Sequence, residues 1–456
     1  MNSGTSIATA LRANWPALVM LGVLVLLPIG RSAEVPLIIA GIAGVALAWR
    51  ARRELAANTA LRLALALFAC IWLPALISAP DSLARAKSWG TVAGFLRFAP
   101  FLAFACFTLR DARLWPRLVQ ACAAVVVLWL IDAWVQAFTG YSLAGAPEQD
   151  RLSGIFGAGN LKLGPMLAVL SPFVLIAARD ALGRRGLIGA FVLLLVPILL
   201  AGSRAAWLMY ALVVLVLAWR ETRAPLRFLG WSAAAAGLIA LTATIALHDS
   251  RAFGARVEKS LQALTGTTQA IDEASAGRVR IWGTAARMIA AHPVNGVGVR
   301  AFRYAYPQYA GKNDWFVHPV GNESGGDEGA LHAHQIVLEV LSETGTIGLA
   351  FWLAAAFLAL RAWLRAPAPA RERALAPALA LAAMTFPFNT HLAFYGTSAW
   401  GLVFWWLLAL YCAAIADPAV EGRPPMSLAR EAGEGGTARG AGGGARAGHV
   451  EGNDGA

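Results

Sequence analysis

Three groups of residues in this 456-residue chain have the types and spacing that chemistry on an anionic substrate requires. The first is Arg204, in the short turn Gly202-Ser203-Arg204 between two apolar runs. Too few residues separate Gly186 from Arg220 for two full-length spanning helices and a loop, so Arg204 is expected at, or slightly below, a membrane surface. A charge at that depth is costly unless it meets a partner or water. Arg204 is therefore either an arginine snorkelling to lipid headgroups or a ligand for an anion held at headgroup depth.

The second group is Arg278 and Arg280 in Gly277-Arg278-Val279-Arg280-Ile281-Trp282, which opens a helix-like run to His292-Pro293 and the turn-forming Asn295-Gly296-Val297-Gly298. Guanidinium forks suit a bidentate phosphate clamp. The competing reading is solvated arginines paired with the nearby acids Asp272 and Glu273. The third group is Leu331-His332-Ala333-His334-Gln335, leading into Ser342-Glu343-Thr344-Gly345. On a helix, residues at i and i+2 point to different sides, so the two histidines are no helical metal pair, and no metal is expected. A histidine at a membrane surface suits general-base or hydroxyl-positioning work; the bland alternative is a pair of histidines capping a helix. Arg97 and Asp132 are the notable charges within apolar runs, and such groups tend to face interior cavities or each other.

These residues need a scaffold, and composition dictates its kind. The chain is 58% hydrophobic and 14% charged, with mean hydropathy +0.59. Soluble domains carry roughly 25% charged residues, so the apolar surplus here must face lipid. Soluble, disordered and fibrous classes are excluded. Apolar runs mark about twelve spans, near 15–30, 35–49, 61–79, 89–108, 119–138, 161–178, 186–201, 205–219, 228–247, 345–361, 374–390 and 398–416. The first follows Arg12 as a signal peptide would, but a second apolar run comes at once, so it reads as the first span. The four cysteines (Cys70, Cys106, Cys122, Cys412) lie within or at the ends of apolar runs and read as small hydrophobes.

Arginine sets the orientation. Alternate loops carry Arg50, Arg52 and Arg53, then Arg110, Arg113 and Arg117, Arg179, Arg184 and Arg185, Arg220, Arg223 and Arg227, and Arg361, Arg365, Arg371 and Arg373. Positive charge prefers the cytoplasm, which puts both termini there and accounts for the net charge of +12 without nucleic acid. The one large loop, 84 residues from His248 to Leu331, then lies outside. Six of the seven histidines (His248, His292, His318, His332, His334, His391) share that side, where no ATP is available.

The expected fold is thus an all-α polytopic membrane protein with about 12 transmembrane helices. A large, mostly helical periplasmic loop separates spans nine and ten. Residues 1–247 hold spans one to nine, 248–331 the loop domain, and 332–416 a signature helix with spans ten to twelve. Residues 417–456, rich in Gly, Ala and Arg, form a disordered cytoplasmic tail.

Four stretches, in order, resemble the O-antigen ligase and polymerase superfamily of bacterial envelope glycosyltransferases. Gly154-Ile155-Phe156-Gly157 through Asn160 and Gly164 looks like its G-x-F…N…G stretch, and Ala201-Gly202-Ser203-Arg204-Ala205-Ala206-Trp207 like its SR-containing hairpin. Gly277-Arg278 with Trp282, Pro293, Gly296 and Gly298 looks like the start of its outer loop. His334-Gln335 with Leu338, Glu343, Gly345 and Gly348 is similar to its HN-x-x-L…E-x-G-x-x-G signature, with Gln335 standing where Asn is usual. The likeness covers roughly residues 150–365.

The resemblance implies a glycan donor on undecaprenyl pyrophosphate, a lipid A-core acceptor, and transfer at the periplasmic face of the inner membrane with no metal or cofactor. It implies that Arg204, Arg278 and Arg280 bind the donor pyrophosphate. His334 would take the proton from, or orient, the acceptor hydroxyl, with His332 as the secondary candidate. Arg97, Asn160 and Lys162 are the candidates for lining the substrate cavity. Direct displacement would invert the anomeric carbon. One dominant outer loop and a disordered tail favour a ligase over an O-antigen polymerase or a protein O-oligosaccharyltransferase. A secondary transporter, the alternative from another class, would place its polar residues near the midplane and show paired halves, which this chain does not.

Overall fold

The computed structural model describes residues 3–53, 55–111, 114–146, 151–249, 258, 275, 277–312, 314, 316–317, 329–390, 394–396 and 399–416. Arg113, Asp272, Glu273, His318, His391 and the 417–456 tail lie outside the described residues.

The described chain is helical, and its β pairing is one isolated bridge between Ser142 and Gly145. Helices α1 (Ser3–Leu26), α2 (Glu34–Arg50), α3 (Thr59–Ser78), α4 (Arg85–Phe95), α5 (Phe98–Thr108) and α6 (Leu114–Thr139) precede α7 (Leu163–Leu200), α8 (Arg204–Thr222) and α9 (Pro225–Asp249). Two short helices follow, α10 (Arg278–Ala291) and α11 (Phe302–Tyr309), then α12 (Ile336–Arg365), α13 (Ala368–Thr385) and α14 (Ala399–Ile415). Each of the twelve apolar runs falls on a helix. Among the described residues six helical segments are long and apolar enough to cross a membrane: α3, α4 with α5, α6, α7, α8 and α12. The apolar parts of α1 and α14 are shorter. The run expected at 374–390 ends early, because α13 stops at Thr385 before the loop containing Pro387.

Helix α7 is two helices. A straight helix of its 38 residues would be about 57 Å long. Yet a Cβ placed on Gly164, at its start, would lie 2.9 Å from the Cβ of Ala201, just past its end. The chain doubles back at Gly183, whose φ of 64° and ψ of −151° suit glycine. Both ends of α7 therefore sit beside the Gly202-Ser203-Arg204 turn, as the two adjacent runs at 161–178 and 186–201 require.

The last helix is the central post. Every residue from Trp400 to Ile415 is buried, as expected of a helix that is apolar all round. Trp405 stacks on Phe98 at 4.8 Å, Trp406 donates to the Met20 carbonyl at 2.8 Å, and Tyr411 donates to the Ala359 carbonyl at 2.6 Å. Conversely, Ile38, Ile42 and Val45 on α2, and Leu353, Phe357 and Leu360 on α12, are exposed apolar residues suited to lipid contact.

The arginines sort by end. Arg179 and Arg184 meet Glu221, Arg220 meets Glu372, and Arg373 donates to the Ala416 carbonyl. This joins the Gly183 turn, the end of α8, the start of α13 and the end of α14. Arg204, at the opposite end of the 19-residue α8, is about 28 Å away along the helix.

Candidate active site

Four elements converge at the Arg204 end. The first is the α7–α8 turn. Ser203 caps α8 by accepting the Ala206 N–H, which leaves Arg204 as the first helical residue, exposed to solvent. Gly164 packs on this turn, and Leu152 donates to the Leu200 carbonyl, so the chain through Asn160 and Lys162 runs alongside it. Both Asn160 and Lys162 are half-buried.

The second element is α10. Gly277, in the left-handed region at φ 77°, starts it, and Arg278 follows. Trp282, one turn on and on the same face, donates its indole N–H to the Ala333 carbonyl at 3.1 Å. That bond ties the Arg278 face to the histidine turn. Arg278 is half-buried, and burial together with the charge of Arg204 holds its pKa below the ordinary value. Among the described residues neither arginine has an acidic partner. Two guanidiniums close enough to repel, with no acidic partner among the described residues, make a place for an anion.

The third element is the turn before α12. The two histidines precede the helix, which begins at Ile336, so the expectation that they point to different sides does not apply. Their rings pack against each other at 3.9 Å. His334 is half-buried, and its pKa is lowered to about 4, first by burial and then by the charge of Arg278; a hydrogen bond with the Thr390 backbone opposes the shift. Arg278 is thus the common neighbour of Arg204 and His334. Arg280 is exposed and is not among the charges acting on either group.

The departure at Gln335 is accounted for here. Its Oε1 caps α12 by accepting the Leu338 N–H at 2.6 Å, while its Nε2 donates to the Pro387 carbonyl at 2.9 Å. One amide both starts the helix and fastens the fourth element, the 386–390 loop. Asn389 of that loop is fully buried; its carbonyl accepts the Ile336 N–H, and its amide donates to the Met384 carbonyl. Sequence reading missed this loop, although Asn389-Thr390-His391 is a polar run between two apolar helices.

A break in α12 seats the outer segment. At Gly345 (φ 64°, ψ −163°) the helix folds sharply, and the strap 293–298 fills the gap. Thr346 and Ile347 N–H donate to the carbonyls of Pro293 and Val294, while Val297 and Gly298 N–H donate to those of Ser342 and Glu343. Backbone groups freed by the break are therefore satisfied by the strap. A side chain at Gly296 or Gly345 would collide across this joint, and one at Gly298 would collide with Ser82 between α3 and α4. The G-x-G and E-x-G spacings are two halves of one joint.

Arg97 and Asp132 do not meet. Arg97 pairs with Glu34 at 3.0 Å and lies over the Phe98 ring, and Asp132 accepts the Leu143 N–H at 2.8 Å. With Gln136, whose Oε1 accepts the N–H groups of Ser153 and Gly154, Asp132 shapes the 140–157 segment.

An apolar groove of about 450 Å³ runs between the second half of α7, α8 and α9, lined by Ile188, Phe191, Leu195, Val214 and Trp231. It reaches Trp207, one helical turn from Arg204. A chain-like apolar group lying there would bring its polar end towards the arginines.

Residues 189–353 match the family described as O-antigen ligase. The match takes in Arg204, Arg278, the strap, the histidine turn and the Gly345 break; it leaves out the Gly154–Gly164 stretch. No curated protein matches the chain. The resemblance read from the sequence thus holds over residues 189–353, and it supports an O-antigen ligase- or polymerase-type function in a multi-pass membrane protein.

Proposed function

We propose, from the O-antigen ligase match over residues 189–353 and the convergence of Arg204, Arg278 and His334, that this protein is an O-antigen ligase. It would move O-antigen polysaccharide from undecaprenyl pyrophosphate to a sugar hydroxyl of lipid A-core, at the periplasmic face of the inner membrane. The observation carrying this reading is that Arg204 and Arg278, with no acidic partner among the described residues, stand with His334 at one end of the helical bundle.

In this reading Arg204 and Arg278 bind the pyrophosphate. As the anomeric C–O bond breaks, negative charge builds on the departing phosphate oxygen. Guanidiniums already in place stabilise that charge without reorganising. Arg280, exposed two residues further on, guides the anion in rather than gripping it. His334, neutral at physiological pH, accepts a hydrogen bond from the acceptor hydroxyl and orients its lone pair at the anomeric carbon. A base of such low proton affinity positions the hydroxyl better than it retains a proton, so the pyrophosphate is the natural final proton acceptor. Attack opposite the leaving group inverts the centre. The apolar groove beside Trp207 suits the prenyl chain. Arg97, paired with Glu34, serves the packing of α2 on the α4–α5 junction.

In this reading the chain has about twelve spans with its arginine-rich loops in the cytoplasm, which would leave the site outside, and a single long outer segment favours ligation over polymerisation. Deleting the gene from a smooth bacterial host tests the assignment on a lipopolysaccharide gel. Bare lipid A-core, with polymer accumulating on the undecaprenyl carrier, is expected. Lipid A-core capped by a single repeat would instead mean polymerase, and an unchanged ladder would remove both.

A further inference from the structure

His332 stands beside the chemistry and touches its central residue. Its Nδ1 accepts the backbone N–H of His334 at 3.2 Å, and the two rings are tilted by 41°. A side-chain acceptor at position i taking the N–H of i+2 is the hydrogen bond of an Asx turn, which Asn and Asp ordinarily make. Imidazole Nδ1 and carboxamide Oδ1 are both two bonds beyond Cβ, so the histidine stands in for the amide. An Nδ1 that accepts carries no proton, which puts the ring N–H on Nε2.

The bond falls where the backbone needs it. His334 has φ of 51°, a left-handed conformation that is strained for any residue but glycine. The chain has to turn there. On one side Ala333 is buried, with its carbonyl engaged by Trp282; on the other, Gln335 must be extended (φ −158°, ψ 121°) to cap α12. Behind His332, the fully buried Glu339 brings Oε2 to 3.7 Å from Nδ1. His332 is thus packed between the first turn of α12 and the ring it supports.

We propose that His332 is a positioning residue: by accepting the His334 N–H on Nδ1 it fixes the left-handed turn that presents the His334 ring beside Arg278, and it takes no part in bond making. This replaces the expectation that His332 is a second catalytic histidine. It rests on the reading that His334 orients the acceptor hydroxyl.

The test is glycan transfer by the purified full-length protein in liposomes, with an undecaprenyl-pyrophosphate glycan as donor and lipid A-core as acceptor. His332→Asn keeps an acceptor at the δ position and should hold kcat within about threefold of wild type. His332→Gln moves the acceptor one bond farther, and His332→Ala removes it. Both should lower kcat by roughly 10–100-fold with the donor KM unchanged, the scale expected when a reacting group is misplaced by about 1 Å. A His332→Asn protein as impaired as His332→Ala would mean the imidazole itself is needed, and would overturn the positioning role. So would a fully active His332→Ala protein alongside a dead His334→Ala one. An active His334→Ala protein would remove the underlying reading instead, and this inference with it. Since the Asn and Gln variants are both polar and of similar size, a fold defect alone would not separate them.

Discussion

The carboxylate of Glu343 accepts the backbone N–H of Arg300 at 2.8 Å, and its other oxygen lies 3.4 Å from the N–H of Phe302. Arg300 is itself in the left-handed region at φ 59°, so the acid secures a turn that then starts α11. Glu343 is fully buried two residues before the Gly345 break. The acid of the E-x-G signature is therefore a clasp between α12 and the segment that carries Arg278.

Removing the clasp should loosen the outer segment. Glu343→Ala leaves two N–H groups without their acceptor, at about 1–3 kcal/mol each. Its unfolding temperature in detergent should fall, with transfer falling in parallel. Glu343→Gln, which keeps one acceptor oxygen, should lose less. An Ala variant as stable as wild type would mean the strap is held by its backbone bonds to α12 alone.

The charge of Arg278 has a measurable consequence at His334. Burial is the larger cause of that histidine's lowered pKa, and Arg278 is the second. In Arg278→Ala the His334 pKa should rise from about 4 towards the ordinary 6.5. Labelled-histidine NMR in micelles reads this directly; an unmoved resonance would mean the two side chains are farther apart than described. The sign for stability follows. With the folded value below the unfolded one, the unfolded chain takes up the proton first as pH falls. The stabilising contribution is complete above about pH 6.5 and fades as pH drops towards 4.

Much of this was legible in sequence, for reasons that differ residue by residue. The apolar runs announced the helices because lipid allows a spanning chain little else. Arg204 stood out because two short runs forced it to a membrane surface. Gly183 and Gly345 were different, since a run of apolar residues does not show where a helix reverses. That α14 is the central post was also hidden, because lipid-facing and protein-facing apolar residues are alike in composition. Arg97 looked functional as a charge in an apolar run, and only the fold supplies Glu34. His332 and His334 were read on helical spacing, whereas the cap at Gln335 starts the helix only after them.

Gln335 offers a check on the family pattern. Gln335→Asn keeps a helix cap, a role in which Asn is favoured. It shortens the reach to the Pro387 carbonyl, so activity should stay near wild type with a less firmly held 386–390 loop. Gln335→Ala loses cap and tether together, which should cost about 1–2 kcal/mol from the cap alone and lower transfer further. Differential scanning of the two variants orders them; equal unfolding temperatures would show the cap to be dispensable.

In the proposed function Arg204 and Arg278 together hold a lipid pyrophosphate, with His334 serving the other substrate. Binding of undecaprenyl pyrophosphate to the purified protein in nanodiscs measures this apart from catalysis. The account predicts that Arg204→Ala and Arg278→Ala each weaken binding by about tenfold or more, on the scale of a lost charge-assisted hydrogen bond of roughly 1.5–3 kcal/mol. It predicts that His334→Ala binds the lipid as wild type does while transferring nothing. Unchanged affinity in both arginine variants would contradict it.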